Sequence, residues 1–377
     1  MAQLETKNLL SKLVSFNSIY PSEERLSHYL YTFFKKRNYN VFRQQVEKGR
    51  ENIIVEKGTG KKVIVLYAHL DTVNYSGDWK TNPFKLTIKG DRAYGLGAWD
   101  MKGGAAVNIL TFLNYHPWTY KLRLIFCIDE ENISKGGHAI VKSKYMDDIK
   151  CIISTEPALH ANGIRGIVTG RPGRAVYKVR ISGIPKHVAF YEQKYDIHYV
   201  SSLFVQNVEK LNTVVRGKKQ MMFVRAIQSR AEGISTPSYC ELELDSYIVT
   251  PTTHASQLSV LQKIASQFMK RYPHFYFEVT LPDRATPYLE AYENKKNIYQ
   301  DILMKSVQLV TKQKALPYYR MSVADENVFG SHGYTVLGIG PEGGNAHAPN
   351  EWVSLASLKK LYTILHDFLK RCDQSTL

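Results

Sequence analysis

Residues Val63–Gly104 read VIVLYAHLDTVNYSGDWKTNPFKLTIKGDRAYGLGAWDMKGG, and this stretch decides the fold. It opens on an apolar, β-branched run, VIVLYAHLD, of the kind that forms a buried strand. Side chains alternate along a strand, so His69 and Asp71, two apart, project from one face at its carboxyl end. Asp100 follows in a glycine-rich turn, GLGAWDMKGG, where backbone can approach closely and hold a side chain in an unusual direction. His, Asp and Asp on a strand end and a tight turn suggest a metal site.

Working outward, KLRLIFCIDE (121–130) and KCIISTE (150–156) also read as buried strands ending in charged residues. A helix beginning near Gly103-Gly104 and stopping at Pro117 lies between the first two strands. This strand–helix–strand order marks an α/β domain with a mostly parallel sheet and flanking helices. Ligands and chemistry collect at the carboxyl ends of such strands, where His69, Asp71, Glu130, Glu131 and Glu156 lie. From Gly173 the texture changes to strand 175–184, helix 195–212, strands 221–230 and 239–249, helix 254–272 and strand 275–281. That is the β-α-β-β-α-β order of a ferredoxin-like α+β domain. The chain then resumes the first pattern, with a helix near 294–311, a strand in YTVLGIGP and a last helix over 355–371. The expected division is therefore a discontinuous catalytic domain, 1–172 and 283–377, interrupted by a second domain at 173–282.

The 377 residues suffice for two domains, and 44% apolar with 22% charged residues is an ordinary globular balance. No run approaches ~18 apolar residues, and MAQLETKNLLSKLVSF has acidic and polar residues where a secretory leader is basic and then apolar. It reads instead as an amphipathic helix with Leu4, Leu9 or Leu10, and Leu13 inward. The expectation is a cytoplasmic protein without membrane partners. Four dispersed cysteines, Cys127, Cys151, Cys240 and Cys372, form no CxxC pair and read as buried thiols. The formal charge of +16 is scattered in twos and threes, without a basic arm or nucleic-acid motif. It fits an anionic substrate, or an acidic carrier protein bearing the substrate, better than nucleic acid.

The acidic triplet Asp129-Glu130-Glu131 ends one strand, and consecutive residues there diverge, so adjacent glutamates can serve different tasks. Glu156 lies near the end of the next strand, in STEP, and His347 in a Gly/Pro-rich loop, GPEGGNAHAPNEW. With His69 and Asp100 this gives two histidines and three carboxylates, enough for two cations sharing one carboxylate. Mixed N/O ligation suits zinc, with cobalt and manganese as alternatives. Burying several carboxylates together is costly without cations to offset their repulsion.

In order and spacing, AHLDTV, GLGAWDMKGG, CIDEE, STEP and GPEGGNAHAPNEWV resemble the M20 family of dinuclear zinc metallopeptidases, which includes carboxypeptidases, aminoacylases, acetylornithine deacetylase and succinyl-diaminopimelate desuccinylase. The resemblance implies that His69 and Glu156 hold one metal and Glu131 and His347 the other, with Asp100 bridging and a cis peptide after it. It makes Asp71 the hydrogen-bonding partner of the far nitrogen of His69, and Glu130 the general base. The segment GRPGRAVYKVRISGIPKHVAF (170–190) is similar to the start of the family's lid and dimerisation domain. That implies a homodimer in which His187 donates to the oxyanion in the partner's site. The lid departs from the pattern where AEGISTPSYC lacks the usual Asn and Asp245-Ser246-Tyr247 replaces Asp-x-Arg. Arg171 and Arg174 are then the candidates for a substrate carboxylate. The implied activity is hydrolysis of the amide of an N-acylated amino acid, with a di- or tripeptidase or carboxypeptidase as the alternative. A metal-free scaffold protein is the reading from a different class.

Overall fold

The computed structural model describes residues 2–75, 77–159 and 162–375. The chain divides into two compact units, Met1–Gly170 with Asn294–Arg320 and Ala324–Leu377, and Arg171–Glu293 with Met321–Val323. Along the chain, the first unit opens with α1 (Ala2–Val14), α2 (Glu24–Lys35), β1 (Asn40–Glu47), β2 (Arg50–Lys57) and β3 (Val63–His69). There follow β4 (Thr87–Lys89), β5 (Arg92–Tyr94), α3 (Lys102–Asn114), β6 (Lys121–Cys127), α4 (Lys135–Ile140), β7 (Ile149–Ser154) and β8 (Gly166–Arg171). The second unit contains β9 (Gly173–Gly183), α5 (Ile197–Glu209), β10 (Thr213–Val215), β11 (Lys218–Gln228), β12 (Tyr239–Ile248), α6 (His254–Arg271), β13 (Phe275–Thr280) and β14 (Tyr292–Glu293). The return to the first unit brings α7 (Ile298–Thr311), β15 (Leu316–Tyr319), α8 (Asp325–Ser331), β16 (Val336–Gly338), β17 (Gly343–Gly344), β18 (Trp352–Ser354) and α9 (Leu355–Gln374).

The main sheet of the first unit runs β1-β2-β6-β3-β7-β16-β8, with β15 beside β8. Pairing is parallel from β6 through β3 and β7 to β16. The apolar run VIVLYAH is buried at every position, as a strand covered on both faces must be. Helix α3 lies against β3 and β6 and packs on α1 and α9. Gly104 permits the approach of α3 to the sheet, since a Cβ there would stand 2.3 Å from the Thr155 carbonyl oxygen. A smaller antiparallel sheet, β17-β18-β5-β4, carries the ends of the glycine-rich and His347 loops.

Two features of this unit differ from the sequence expectation. In α1 the inward face is Thr6, Leu10, Leu13 and Val14, while Leu4 is 64% exposed. The i, i+4, i+7, i+8 spacing puts the small polar Thr6 where Leu4 was expected. The antiparallel β1–β2 hairpin is the other. Its outer strand is mostly exposed and polar, as an edge strand needs to be, so it lacks an apolar signature.

The second unit is the ferredoxin-like sheet β10-β11-β12-β9-β13, antiparallel throughout. Its core joins Tyr177, Val179 and Ile181 of β9 to Leu242 and Leu244 of β12 and to Phe204 and Phe268 of α5 and α6. The strict inward–outward alternation of β13 shows one covered sheet face. β10, absent from the sequence reading, is a short hairpin addition turned at Arg216-Gly217, both at positive φ. All four cysteines are buried and unpaired. Among the described residues, no helix is long and apolar enough to cross a membrane.

Replacing Gly104 by alanine should destabilise the protein by about 1–3 kcal/mol in urea unfolding, because the overpacking cost exceeds the gain in helix propensity. An unchanged midpoint would mean that α3 and the Thr155 strand end can part without loss.

Candidate metal centre

The sheet delivers its polar residues to one edge. His69 is the last residue of β3, Glu130 and Glu131 follow β6, and Glu156 follows β7, all at carboxyl ends of parallel strands. Asp100 comes from the turn before α3, and the peptide joining it to Met101 is cis. His347 is presented by a loop in which Asn345, His347 and Asn350 all take positive φ. Asn350 ties that loop down by accepting from the Lys80 N–H at 2.7 Å and donating to the Asp78 carbonyl.

These side chains converge around Asp100. Its Oδ1 lies 3.3 Å from His69 Nε2, and its Oδ2 lies 3.3 Å from His347 Nε2. Glu156 Oε1 faces the same His69 nitrogen at 3.4 Å, and Glu131 Oε1 faces the same His347 nitrogen at 3.0 Å. Ligand atoms of His69, Asp100 and Glu156 therefore form one cluster, and those of Asp100, Glu131 and His347 a second. One carboxylate belongs to both. Glu156 Oε1 is buried and, beyond that approach to His69, has no hydrogen-bond partner among the described residues.

The electrostatics show what the cluster lacks. Burial pushes the Glu130 carboxyl well above the usual range, with the Glu156 charge adding to it. Burial and the Asp100 charge bring Glu131 to about 7. His347 rises to about 11 through its contacts with Asp100 and Glu131. Burial opposes protonation of His69, yet Asp100 and Glu156 still hold it well above the ordinary imidazole range. Protons on the imidazoles thus stand in for positive charge. Divalent cations would supply that charge, release the protons and satisfy the orphaned Glu156 oxygen, so the donor set fits two borderline metal ions.

Asp71 is buried beside His69, but the imidazole Nδ1 makes its 3.0 Å contact with the Asp71 main-chain carbonyl, and the carboxylate stands off at 3.6 Å. The Asp71 carboxylate accepts instead from the Glu131 N–H at 2.8 Å, and burial raises it to about 6. It therefore fixes Glu131 as well as neighbouring His69. Glu130 Oε1 accepts from the Asp325 N–H at 3.3 Å, and Tyr67 donates to the Asp325 carboxylate at 2.6 Å.

The three residues expected at the substrate belong to the second unit. His187 is exposed, and its Nδ1 accepts from the Ala189 N–H. Arg171 is fully buried and donates to the Ser322 carbonyl and hydroxyl. Arg174 makes a bidentate pair with Asp245, at 3.0 and 2.7 Å. Its guanidinium fork is thus occupied from within, and a substrate carboxylate would have to displace Asp245.

Two residues beside the cluster escaped the sequence reading. Glu351, buried, accepts N–H groups from Gly97 at 2.7 Å, Trp99 at 2.7 Å and Asp100 at 2.9 Å, clamping the turn that aims Asp100. Its signal was its place four residues beyond His347, in the same loop. Arg320 lies 3.9 Å from the Glu156 carboxylate and is nearly buried. Nothing in YYRMSV marks it.

The model of the peptidase family M20/M25/M40 matches residues 65–371. The chain belongs to that family. As an M20 protein it is a metal-dependent amide hydrolase. A succinyl-diaminopimelate desuccinylase of Helicobacter pylori is 23% identical over 95% of this chain and 96% of its own length. Among solved structures, a Staphylococcus aureus tripeptidase superposes with a TM-score of 0.82 at 14% identity, covering 99% of both chains. A dinuclear metal-binding M20 peptidase of Bacillus subtilis superposes at 0.76 with 12% identity over 99% of both.

Glu351→Ala should weaken metal binding by about 10–100-fold, because the Asp100 turn loses a support outside the ligand shell. Competition with a chromogenic chelator measures this, and wild-type affinity would show that the turn holds itself.

Proposed function

We propose that this protein hydrolyses the amide bond of small N-acylated amino acids through a dinuclear site. His69 and Glu156 would hold one cation, Glu131 and His347 the other, and Asp100 both. The observation that carries this reading is the Asp100 carboxylate, with one oxygen toward each imidazole and a further carboxylate completing each group. Bound cations supply the Lewis acidity that polarises an amide carbonyl and acidifies a water. Zinc is the proposed metal, since two histidines and three carboxylates make a mixed N/O donor set.

The remaining steps fall to the chain. Glu130 lies outside the two groups that share Asp100, its carboxylate grouping instead with His69 and Glu131, and its Oε1 is oriented by the Asp325 N–H. Its carboxylate takes the proton of the attacking water and returns it to the leaving amine nitrogen. Burial raises the Glu130 carboxyl above its usual range, which favours its uptake of the proton from water. His187 is the proposed donor to the oxyanion, reaching a partner subunit in a homodimer formed through the second unit.

The desuccinylase relative favours an acyl-amino acid substrate, and the +16 charge suits an anionic one. The tripeptidase among the structural neighbours keeps a peptidase reading alive. A panel of N-acetyl and N-succinyl amino acids against di- and tripeptides, assayed with zinc and with cobalt, separates the two. Chelation should abolish turnover and either metal should restore it. Glu130→Gln should bind metal normally but lose kcat by about 10²–10⁴-fold, and a variant retaining most of its kcat would overturn the mechanism.

A further inference from the structure

The loop that carries Glu130 and Glu131 is gripped from behind by a strand outside the metal centre. Arg50 and Asn52 are two apart on β2 and both are buried. Asn52 Oδ1 accepts from the Ile128 N–H at 3.1 Å, and its Nδ2 donates to the Gly136 carbonyl at 2.9 Å. It thus closes both ends of the 128–136 loop. Arg50 reaches the residue after Ile128, where Nη2 donates to Asp129 Oδ1 at 3.1 Å.

Asp129 is fully buried and sits at φ +70° immediately before Glu130. Its Oδ2 accepts from the Lys135 N–H at 3.1 Å and its carbonyl from the Ser134 N–H at 2.7 Å. The direction of the Glu130 backbone is therefore set by how this carboxylate is held. A buried carboxylate needs a partner charge, and Arg50 supplies it. The guanidinium is itself locked by Glu23, fully buried, through Nε at 2.9 Å and Nη2 at 2.6 Å, and by Glu47 on the outer strand. Lys135 also pairs with Glu47. One fork thus joins the segment before α2, the β1–β2 hairpin and the loop of the base.

We propose that Arg50 is a positioning residue for hydrolysis, orienting Glu130 through the Asp129 carboxylate. The inference rests on the reading of Glu130 as the base. A ligand or base displaced by a fraction of a bond length loses turnover out of proportion to its effect on binding. Arg50 touches neither substrate nor metal, so its loss should appear in kcat and spare KM.

Arg50→Lys keeps the charge but loses the fork, and Asp129→Asn keeps the shape with a residue type that tolerates positive φ. Each is made alone and with Glu130→Gln. In the metal-free protein, hydrogen exchange of the 128–136 segment should quicken by about ten-fold or more while the rest of the chain is unchanged. With metal restored, kcat on the best substrate of the panel should fall by about ten-fold or more with KM within about two-fold. Each double variant should be no slower than Glu130→Gln alone, since both changes remove one function. Unchanged exchange in both single variants, or losses that multiply in the doubles, would overturn the proposal. If Arg50→Lys fails to fold, Asp129→Asn carries the same readouts. If Glu130→Gln itself retains turnover, the role of Glu130 fails, and the exchange result alone decides whether Arg50 holds the loop.

Discussion

The sharing of one carboxylate between two imidazoles is the constraint on which the catalytic unit depends. Asp100 can face both His69 and His347 only if its turn is held from outside, since neither histidine could anchor it alone. The Glu351 carboxylate does this with three main-chain contacts. The sheet must also end β3, β6 and β7 at one edge, so that a histidine and three glutamates arrive from three strands within reach of one point. Parallel pairing provides that alignment without any side chain specifying it.

The buried charge of the site is balanced in two ways. Around Asp100 the carboxylates draw protons onto imidazoles, a balance that cations replace. One layer behind, Asp129 and Glu23 are both paired with Arg50, whose charge does not exchange. The first arrangement is exchangeable and suits chemistry. The second is fixed and suits support, because removing one member of a buried ion pair strands the others. Adjacent residues of one triplet, Asp129 and Glu130, fall on opposite sides of this divide.

Much of the candidate site was legible in the sequence because polar residues at strand ends carry two signals at once, an apolar run and an abrupt polar stop. His69, Glu130, Glu131 and Glu156 all show it, and the glycines around Asp100 mark a turn. What could not be read were long-range pairings among ordinary polar residues. Asp71 was expected beside the far nitrogen of His69, but which of its oxygens makes the contact, here the main-chain carbonyl, is not written in residue type. Arg174 was expected to be free for a ligand, yet Asp245, 71 residues away, occupies it. The β1–β2 hairpin escaped because an edge strand is defined by its exposure, which polar composition alone does not separate from loop. Leu4 was misplaced because a helix chooses its face by contact with α3 and α9, and Thr6 fits that contact.

The discontinuity of the first unit has a consequence for its biosynthesis. During translation, His69, Asp100, Glu131 and Glu156 leave the ribosome with the first segment, while His347 follows 216 residues after Glu131. Until then β7 lacks its neighbour β16 and the Asp100 turn lacks Glu351. The nascent chain therefore exposes a carboxylate-rich edge on a half-built sheet while the intervening ferredoxin-like unit, contiguous but for three residues, has already been synthesised. One group of donors is available early and the other only near completion.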